Sequence, residues 1–194
     1  MDKLIEKTLL IIKPNAVKRG LIGIIFEIFE NAGLKLLAAK MVKPEDDVIK
    51  KHYPGTLQWI REMGEKTLAS FKQSGVDVEK TLATNDPIKL GQYIYDRLVN
   101  YWKEGPIVVS VWEGPHAIEI ARKLRGHTIP YLAQTGTIHA SYSFDSSVLS
   151  ANLNRVVKTF IHASGNKEEA EREIKYWFGD QEFKSYEREV DSLY

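Results

Sequence analysis

The feature that most constrains the fold is a short apolar run near the start of the sequence. Residues 8–12 read Thr-Leu-Leu-Ile-Ile, and Lys13 and Pro14 follow directly. A continuous apolar run of this length, stopped by proline, is typical of a strand that is buried on both faces. The segment therefore predicts a central strand of a sheet, with Lys13 at its exit. A lysine at this point either enters a cleft or carries its charge back to solvent along an apolar stem.

Further strands and helices alternate along much of the chain. The hydrophobic spacing predicts helices over residues 21–29 and 117–124, and strands over residues 34–42, 107–112 and 136–144. The order is strand, helix, strand, and then the same again. This order predicts an α+β fold made of a split βαβ pair, with one antiparallel sheet and helices packed on one side of it.

Two stretches interrupt this regular pattern. Residues 54–93 contain helical spacing from Thr56 to Phe71 and the start of a helix near Asp86, with a polar stretch between them. Residues 145–154 form a polar connection. Neither stretch has enough apolar residues to form a core of its own. We therefore expect a single domain over residues 1–194, with a helical insertion at about 54–93 and a lengthened loop at about 145–154.

The composition excludes several classes of function. Lysine and arginine number 27 against 26 acidic residues, and this net charge of +1 gives no reason to expect a nucleic-acid or membrane partner. The chain has no cysteine, which excludes disulfides, thiolate nucleophiles and cysteine-ligated metals. The apolar run near the start is too short for a signal peptide or a membrane span, so the expected location is cytoplasmic.

A lone histidine, His162, precedes a well-defined helix near the end of the sequence. Asn166 and Glu169 have the spacing of a capping box, and apolar residues then recur at helical spacing. Glu173 borders the buried stripe of this helix, so its carboxylate is expected to need a partner. If the Glu173 carboxylate binds one ring nitrogen of His162, the other nitrogen is left as a nucleophile. Ser164 adds a hydroxyl nearby. On spacing alone, an alternative stays open in which His162 is a partly exposed loop histidine and Glu173 pairs with Arg172 or Lys175.

Several residues that donate hydrogen bonds to anions fall at strand ends, in loops or on helices next to loops. They are Lys13, Arg122, Thr128, His139 and His162. A nucleophilic histidine among phosphate donors predicts phosphoryl transfer through a phosphohistidine. Other chemistries lack their motifs: the sequence has no glycine-rich phosphate loop, no histidine pair at i, i+4 for zinc and no nucleophile elbow.

Three segments resemble conserved blocks of the nucleoside diphosphate kinase family. They are Leu-Ile-Ile-Lys-Pro-Asn-Ala-Val-Lys-Arg-Gly at 10–20, Gly-Pro-Ile-Val-Val-Ser-Val-Trp-Glu-Gly at 105–114, and the segment 161–178 around His162. The resemblance implies a ferredoxin-like βαββαβ fold, and transfer of the γ-phosphate of ATP through His162 to a nucleoside diphosphate by a ping-pong route. It also implies Mg²⁺ carried by the nucleotide phosphates rather than by the protein, and a homo-oligomer, either a hexamer or a tetramer.

The resemblance also implies roles for individual residues. His162, Glu173 and Lys13 match the catalytic residues: the nucleophile, the glutamate that supports it and the lysine that contacts phosphate. Tyr53, Arg122 and Thr128 match further nucleotide-binding residues of the family. The phenylalanine that stacks on the base in the family aligns with Ile94, next to the aromatic residues Tyr93 and Tyr95.

Two nucleotide-binding positions depart from the family pattern. His139, on the polar face of the predicted fourth strand, replaces a phosphate-contacting arginine, and Thr159 replaces an asparagine that bonds the ribose. A neutral histidine is a weaker phosphate ligand than a bidentate guanidinium, so either turnover is reduced or another cation compensates. Arg155 and Lys158 are the expected candidates. The departures leave open a second function, a nucleotide-binding regulatory or scaffold protein with weak or no kinase activity.

Overall fold

The computed structural model describes residues 4–184 and 186–189, so the outermost ends of the predicted domain lie outside the described residues. Four strands form one sheet: β1 (Ile5–Ile12), β2 (Lys35–Val42), β3 (Ile107–Pro115) and β4 (Ile161–Ala163). Their order is β2-β3-β1-β4, and every pair of neighbours is antiparallel. β1 is thus a central strand, as its apolar run predicts. The sheet and its helices form the expected ferredoxin-like α+β fold.

Ten α-helices lie within the described residues. They are α1 (Pro14–Lys18), α2 (Ile22–Asn31), α3 (Asp46–His52), α4 (Leu57–Gln73), α5 (Val78–Leu82), α6 (Pro87–Trp102), α7 (Ala117–Arg125), α8 (Ile138–Tyr142), α9 (Ser147–Asn152) and α10 (Lys167–Phe178). A short 3₁₀ helix spans Pro130–Leu132. In this part of the chain, we find no helix that combines the length and the apolar character of a membrane span.

Helices cover both faces of the sheet, and not one side as the sequence predicts. Leu10 and Ile12 of β1 pack in a cluster with residues of α2 and α7. Leu9 and Ile11 point the other way and join a cluster with residues of α3, α6 and α10. All four side chains are fully buried. The two covering layers explain why β1 is apolar at consecutive positions rather than at alternate ones.

The predicted strand over residues 136–144 is wrong. Residues Ile138–Tyr142 form the short helix α8, and the fourth strand is Ile161–Ala163. The alternating pattern misleads because Ile138 and Tyr142 are also four residues apart, a spacing that places both on one face of a helical turn. β4 itself is only three residues long, too short to show a recognisable alternation.

Both irregular stretches of the sequence contain helices. The lengthened loop at 145–154 folds into α9, whose first turn begins at Ser146, where the hydroxyl accepts the backbone N–H of Leu149 at 3.1 Å. The insertion contains α4, α5 and the first part of α6, and α5 lies in the stretch expected to be irregular. Short polar helices of this kind carry too few apolar residues for their periodicity to be detected.

Two glycines let the long helices α4 and α6 of the insertion approach each other closely. A Cβ atom on Gly64 of α4 would lie 1.8 Å from the carbonyl oxygen of Pro87, and a Cβ on Gly91 of α6 would lie 1.8 Å from that of Ile60. Such distances are impossible for real atoms, so these two positions accept no side chain while the backbones stay in place. The close packing fixes how α6 is placed beside the sheet.

We predict that Gly91→Ala destabilises the protein, because the added methyl group forces α4 and α6 apart. Overpacking of this kind costs about 1–3 kcal/mol of unfolding free energy. The matched control is Gly23→Ala in α2, where a Cβ would meet no atom within 4 Å; there the better helix propensity of alanine should leave stability unchanged or raise it by up to about 1 kcal/mol. Denaturant unfolding of both variants measures the difference. Equal stability of Gly91→Ala and the unaltered protein would contradict the packing described.

Candidate active site

One large cavity collects nearly all of the predicted site residues. Its volume is about 700 Å³, which falls within the usual range for sites that take small-molecule ligands. It lies where the end of β1, the end of α7 and β4 face the insertion. The residues expected from the sequence that line it are Lys13, Tyr53, Ile94, Arg122, Thr128, His139, Thr159, His162 and Glu173.

The centre of the cavity is the contact between His162 and Glu173. His162 is the middle residue of β4, opposite Ile11 of β1, and its side chain is 15% exposed. Its Nε2 lies 2.9 Å from both carboxylate oxygens of Glu173, which is 2% exposed on α10. The Ser164 hydroxyl donates to the same carboxylate at 2.7 Å. The expected pairing of the histidine with Glu173 is therefore present.

The sequence places Glu173 here through the start of α10. The side chain of Asn166 accepts the backbone N–H of Glu169 at 2.8 Å, which caps the helix. The carboxylate of Glu169 accepts the backbone N–H of Gly165, also at 2.8 Å, rather than returning to Asn166 as in a regular capping box. With this start fixed, Glu173 points from the buried face of α10 towards β4.

Burial controls the protonation of the central pair. It lowers the pKa of His162, and the nearby charge of Lys13 lowers it further. Burial raises the pKa of Glu173, while His52 and Ser164 act against that rise. The imidazole is therefore neutral at physiological pH. With the Nε2 proton shared with Glu173, the lone pair is on Nδ1, the nitrogen left for the cavity.

His52 is a further member of this cluster that sequence reasoning missed. It is 2% exposed at the end of α3, and its ring lies edge-on to that of His162 with 4.8 Å between the ring centres. Nδ1 accepts the indole N–H of Trp177 at 3.3 Å, while Nε2, 3.8 Å from Glu173, has no hydrogen-bond partner in the described residues. Burial lowers its pKa to about 3, and the neighbouring ring of His162 also disfavours a second positive charge here, so His52 is neutral.

Lys13 brings an amine into the cavity at the end of β1. It is 7% exposed, and Nζ donates to the hydroxyl of Thr159 at 2.6 Å. Burial and the neighbouring charge of Arg125 lower its pKa from 10.5 to about 7. Of the two expectations for this lysine, entry into a cleft is the one that the structure shows. Thr159, at the position where the family has asparagine, thus orients the lysine through its hydroxyl.

Arg122 and Tyr53 line the same cavity from two other elements. Arg122 projects from α7, and its Nη1 donates to the carbonyl of Gly165 at 2.6 Å. Tyr53 follows α3 and packs against the rings of Trp59 and Trp102, with 5.5 and 5.4 Å between ring centres. Burial raises the pKa of its hydroxyl, so it is neutral. These residues give the cavity one cationic side and one aromatic side.

Tyr95 does not reach the cavity, although the sequence places it beside the base-stacking position. Its ring packs edge-on against Trp59 at 5.8 Å, and the side chains that line the cavity from α6 are those of Tyr93, Ile94 and Leu98. Helical geometry explains the difference between Tyr93 and Tyr95, because residues two apart on a helix point about 200° apart and so lie on nearly opposite faces. Tyr95 is absent from the lining residues, so its expected role in nucleotide binding stays a prediction without a contact in this cavity.

His139 is at the cavity wall, but not as the exposed donor expected on a polar strand face. It is 1% exposed in α8, and Nδ1 donates to the carbonyl of His127 at 2.8 Å. Nε2 accepts the backbone N–H of Ile161 at 3.5 Å. Burial lowers its pKa to about 4. Its ring is neutral, both nitrogens are engaged, and it supports β4.

The two cations expected to compensate for the missing arginine are both paired with carboxylates. Arg155 lines the cavity, but its guanidinium binds both oxygens of Asp145, at 2.5 and 3.0 Å. Lys158 lies outside the lining residues and binds Glu104 at 2.7 Å. A different cation, Arg125 at the end of α7, lines the cavity instead. Its distance of three residues from Arg122 is the signal in the sequence that puts both on one helix face.

The possible metal ligands of the described residues do not suit Mg²⁺. His52, His162 and Glu173 form the one group of three whose ligand atoms lie within 4.8 Å of one another in this part of the chain. Mg²⁺ prefers oxygen ligands, whereas two members of this group offer nitrogen. The arrangement as a whole can bind a polyanion through its cations and can present one neutral imidazole nitrogen to it. These properties define a phosphoryl-transfer site that works through histidine.

Comparisons with known proteins agree with this assignment. The family model "Nucleoside diphosphate kinase" matches residues 6–59 and 58–183. A nucleoside diphosphate kinase of Pyrobaculum aerophilum is 48% identical over 178 residues, covering 92% of this chain and 97% of the relative. One of Borreliella burgdorferi is 34% identical over 186 residues, covering 96% and 95%.

Solved structures agree as well. An NDP kinase from Pyrobaculum aerophilum superposes with a TM-score of 0.84 at 45% identity, over 91% of this chain and 97% of the other. A transition-state mimic of the Borrelia burgdorferi kinase, with bound vanadate and ADP, superposes with a TM-score of 0.77 at 32% identity, over 98% and 97%. The chain belongs to the nucleoside diphosphate kinase family. It is therefore a phosphotransferase.

We predict that binding of ADP is coupled to proton uptake by Lys13. With a pKa of about 7, the amine is mostly neutral at pH 8 in the free protein, and the arriving phosphate charge restores its proton. Uptake should approach about one proton per site at pH 8 and fall at pH 6, where Lys13 is already charged. Calorimetry in buffers of different ionisation enthalpy measures this number. Lys13→Arg, which stays charged, should abolish the uptake, and equal uptake at both pH values would contradict the prediction.

Proposed function

We propose that this protein transfers the γ-phosphate of ATP, by way of His162, to a second nucleoside diphosphate in a ping-pong reaction. The observation that carries the proposal is the bidentate contact of Nε2 with Glu173, 2.9 Å to each oxygen. This contact holds one tautomer of the ring and leaves Nδ1 for attack. Nearby cations then face the position where the phosphate must lie.

In the first half-reaction, the lone pair of Nδ1 attacks the γ-phosphorus and forms a P–N bond. The bond between that phosphorus and the β,γ-bridging oxygen breaks, and the diphosphate leaves with the electron pair. The Nε2 proton stays in its hydrogen bond to Glu173, which stabilises the positive charge that develops on the ring. The second half-reaction reverses these steps with a new diphosphate, whose terminal oxygen takes the phosphoryl group.

Different residues around the histidine bind the phosphates and the base of the nucleotide. Lys13 and Arg122 offset the negative charge on the phosphates, and Thr128 offers a hydroxyl from the loop after α7. The base lies on the apolar side of the cavity, between Tyr53 and Ile94. Apolar contacts of this kind discriminate weakly among bases, because every base has a flat face for them to cover.

Mg²⁺ would be brought to this site by the phosphates of the nucleotide rather than held by the protein. The cationic lining and the lack of a suitable oxygen cluster in the described residues support this arrangement. When bound to the phosphates, the metal ion neutralises part of their charge during transfer. Glu169, which lines the cavity beside Gly165, is the carboxylate that could hold a water of its hydration shell.

Three features of the whole chain belong to the same proposal. The chain forms a single domain over residues 1–194, with the insertion at about 54–93 and the lengthened connection at about 145–154. It assembles as a homo-oligomer, a hexamer or a tetramer. Its expected location, the cytoplasm, stays a prediction.

We predict that γ-labelled ATP with Mg²⁺ leaves acid-labile, alkali-stable label on the protein, because phosphohistidine has this stability. Added nucleoside diphosphate should discharge the label, and His162→Ala should abolish it by removing the nucleophile. His116→Asn is the matched control, because His116 is exposed, lies outside the cavity and has a positive φ of 52° that asparagine tolerates. Nucleotide binding without labelling would instead support the regulatory alternative.

A further inference from the structure

The cavity lacks the guanidinium that the family places at position 139, and the residue there cannot replace it. Both nitrogens of His139 are engaged with the backbone, one with the carbonyl of His127 and the other with the N–H of Ile161. The ring is neutral and 1% exposed. It therefore offers neither a charge nor a free N–H to a phosphate. The following inference rests on the proposed function and asks which residue supplies the missing cation.

Arg125 can supply this cation, because it lies at the cavity and its Nη groups are unpaired within the described residues. It is the last residue of α7, half-buried, and it lines the cavity together with Arg122, Lys13 and His162. Its charge is close enough to lower the pKa values of Lys13 and His162. Its Nε donates to the carbonyl of Gly126 at 3.2 Å. Its two Nη groups have no hydrogen bond or ion pair with any described residue.

The other cations near His162 are less available. Arg172 is absent from the cavity lining, and its Nη2 lies 3.9 Å from Oε1 of Glu173. Arg155 and Lys158 bind Asp145 and Glu104, and removing either from its carboxylate would leave a charge without its partner. Arg122 already uses one Nη group on the carbonyl of Gly165. Lys66 lines the cavity from α4, where its side chain is exposed to solvent. Arg125 thus combines proximity to the histidine with two free donor groups.

The backbone after α7 fixes where Arg125 lies. Gly126 ends the helix with a φ of +84°, a conformation that residues with a side chain rarely adopt. A Cβ at this position would also lie 2.3 Å from the hydroxyl oxygen of Thr137. The close contact holds the helix end against the segment that leads to α8. The guanidinium is therefore carried by an anchored helix end rather than by a free loop, so little order is lost on binding.

We propose that Arg125 is a phosphate-binding residue, whose Nη groups donate to the non-bridging oxygens of the nucleotide phosphates beside His162. It supplies from the end of α7 the planar, doubly donating cation that the family otherwise supplies from position 139. Its free N–H groups and fixed charge suit the geometry of a phosphate better than the ring of His139 does. His139 retains a positioning role, since it holds the N–H of Ile161 next to the nucleophile.

The direct experiment compares ligands that differ only in phosphate. Arg125→Ala should weaken ADP binding by roughly 10- to 100-fold and change adenosine binding by less than about twofold, because only ADP presents the charged oxygens. Arg125→Lys should give an intermediate ADP affinity, since it keeps the charge and loses the double donor. Lys123→Ala is the control on the same helix, because Lys123 is exposed and pairs with Glu119 at 2.8 Å. It should bind both ligands as the unaltered protein does.

Two outcomes would overturn the inference: unchanged ADP affinity in Arg125→Ala, or an equal loss for ADP and adenosine, which would mean that Arg125 only shapes the cavity. Should Arg125→Ala not fold, Arg125→Gln keeps a side-chain amide near Gly126 and serves for the same comparison. These measurements need no turnover. A protein that shows the ADP-specific loss but is never labelled by ATP would refute the proposed function alone, and labelling with no effect of Arg125 would refute this inference alone.

Transfer itself gives a second readout. Phosphoenzyme formation in Arg125→Ala should be about 10²-fold slower, the usual effect of removing one donor to a developing charge. Added methylguanidinium should restore part of the rate by occupying the vacated space. Rescue of this kind requires a missing cation, and a merely structural defect would not respond to it.

Discussion

The contact between the Glu173 carboxylate and Nε2 of His162 is the interaction on which the chemistry of this cavity depends. A free imidazole exchanges its proton between two nitrogens, and either can act as a nucleophile. A buried carboxylate that takes one N–H removes this choice and stabilises the charge that develops on attack. The rest of the structure keeps the two groups in contact, because β4, which carries His162, is hydrogen-bonded to β1, and α10, which carries Glu173, packs against β1. Ser164 holds the carboxylate from a second direction.

The second constraint is the electrostatic free energy needed to hold several positive charges close together in one partly closed cavity. Lys13, Arg122 and Arg125 reach the cavity from the end of β1 and from α7, and each raises the cost of charging the next. Burial lowers the pKa of Lys13 most, and the neighbouring charge of Arg125 lowers it further. An incoming polyphosphate relieves this repulsion, so part of the free energy of nucleotide binding comes from interactions that the free protein cannot satisfy. Burial, followed by the charge of Lys13, lowers the pKa of His162, so that its ring is neutral and able to act as a nucleophile.

The sequence predicts the framework and the pairing of His162 with Glu173 well, and the details of the surrounding cavity wall poorly. The apolar run of β1, the helix stripe before Gly33 and the cap at Asn166 each depend on local chemistry, and the structure confirms all three elements. The fourth strand was misplaced because three residues cannot display a period of two. His139 was expected to be exposed, since its burial depends on tertiary contacts with His127 and Ile161. No local pattern shows which cations pair with carboxylates, so the sequence predicts Arg155 and Lys158 as compensating cations and does not single out Arg125.

We propose that His162 carries phosphate on Nδ1 while Nε2 remains bound to Glu173. The most direct measurement is NMR of the ¹⁵N-histidine-labelled protein after reaction with ATP and Mg²⁺. It observes the coupling between phosphorus and each ring nitrogen of His162. The account predicts coupling to Nδ1, with a proton retained on Nε2. Phosphate bound to Nε2 of His162, or to any residue other than His162, would contradict it.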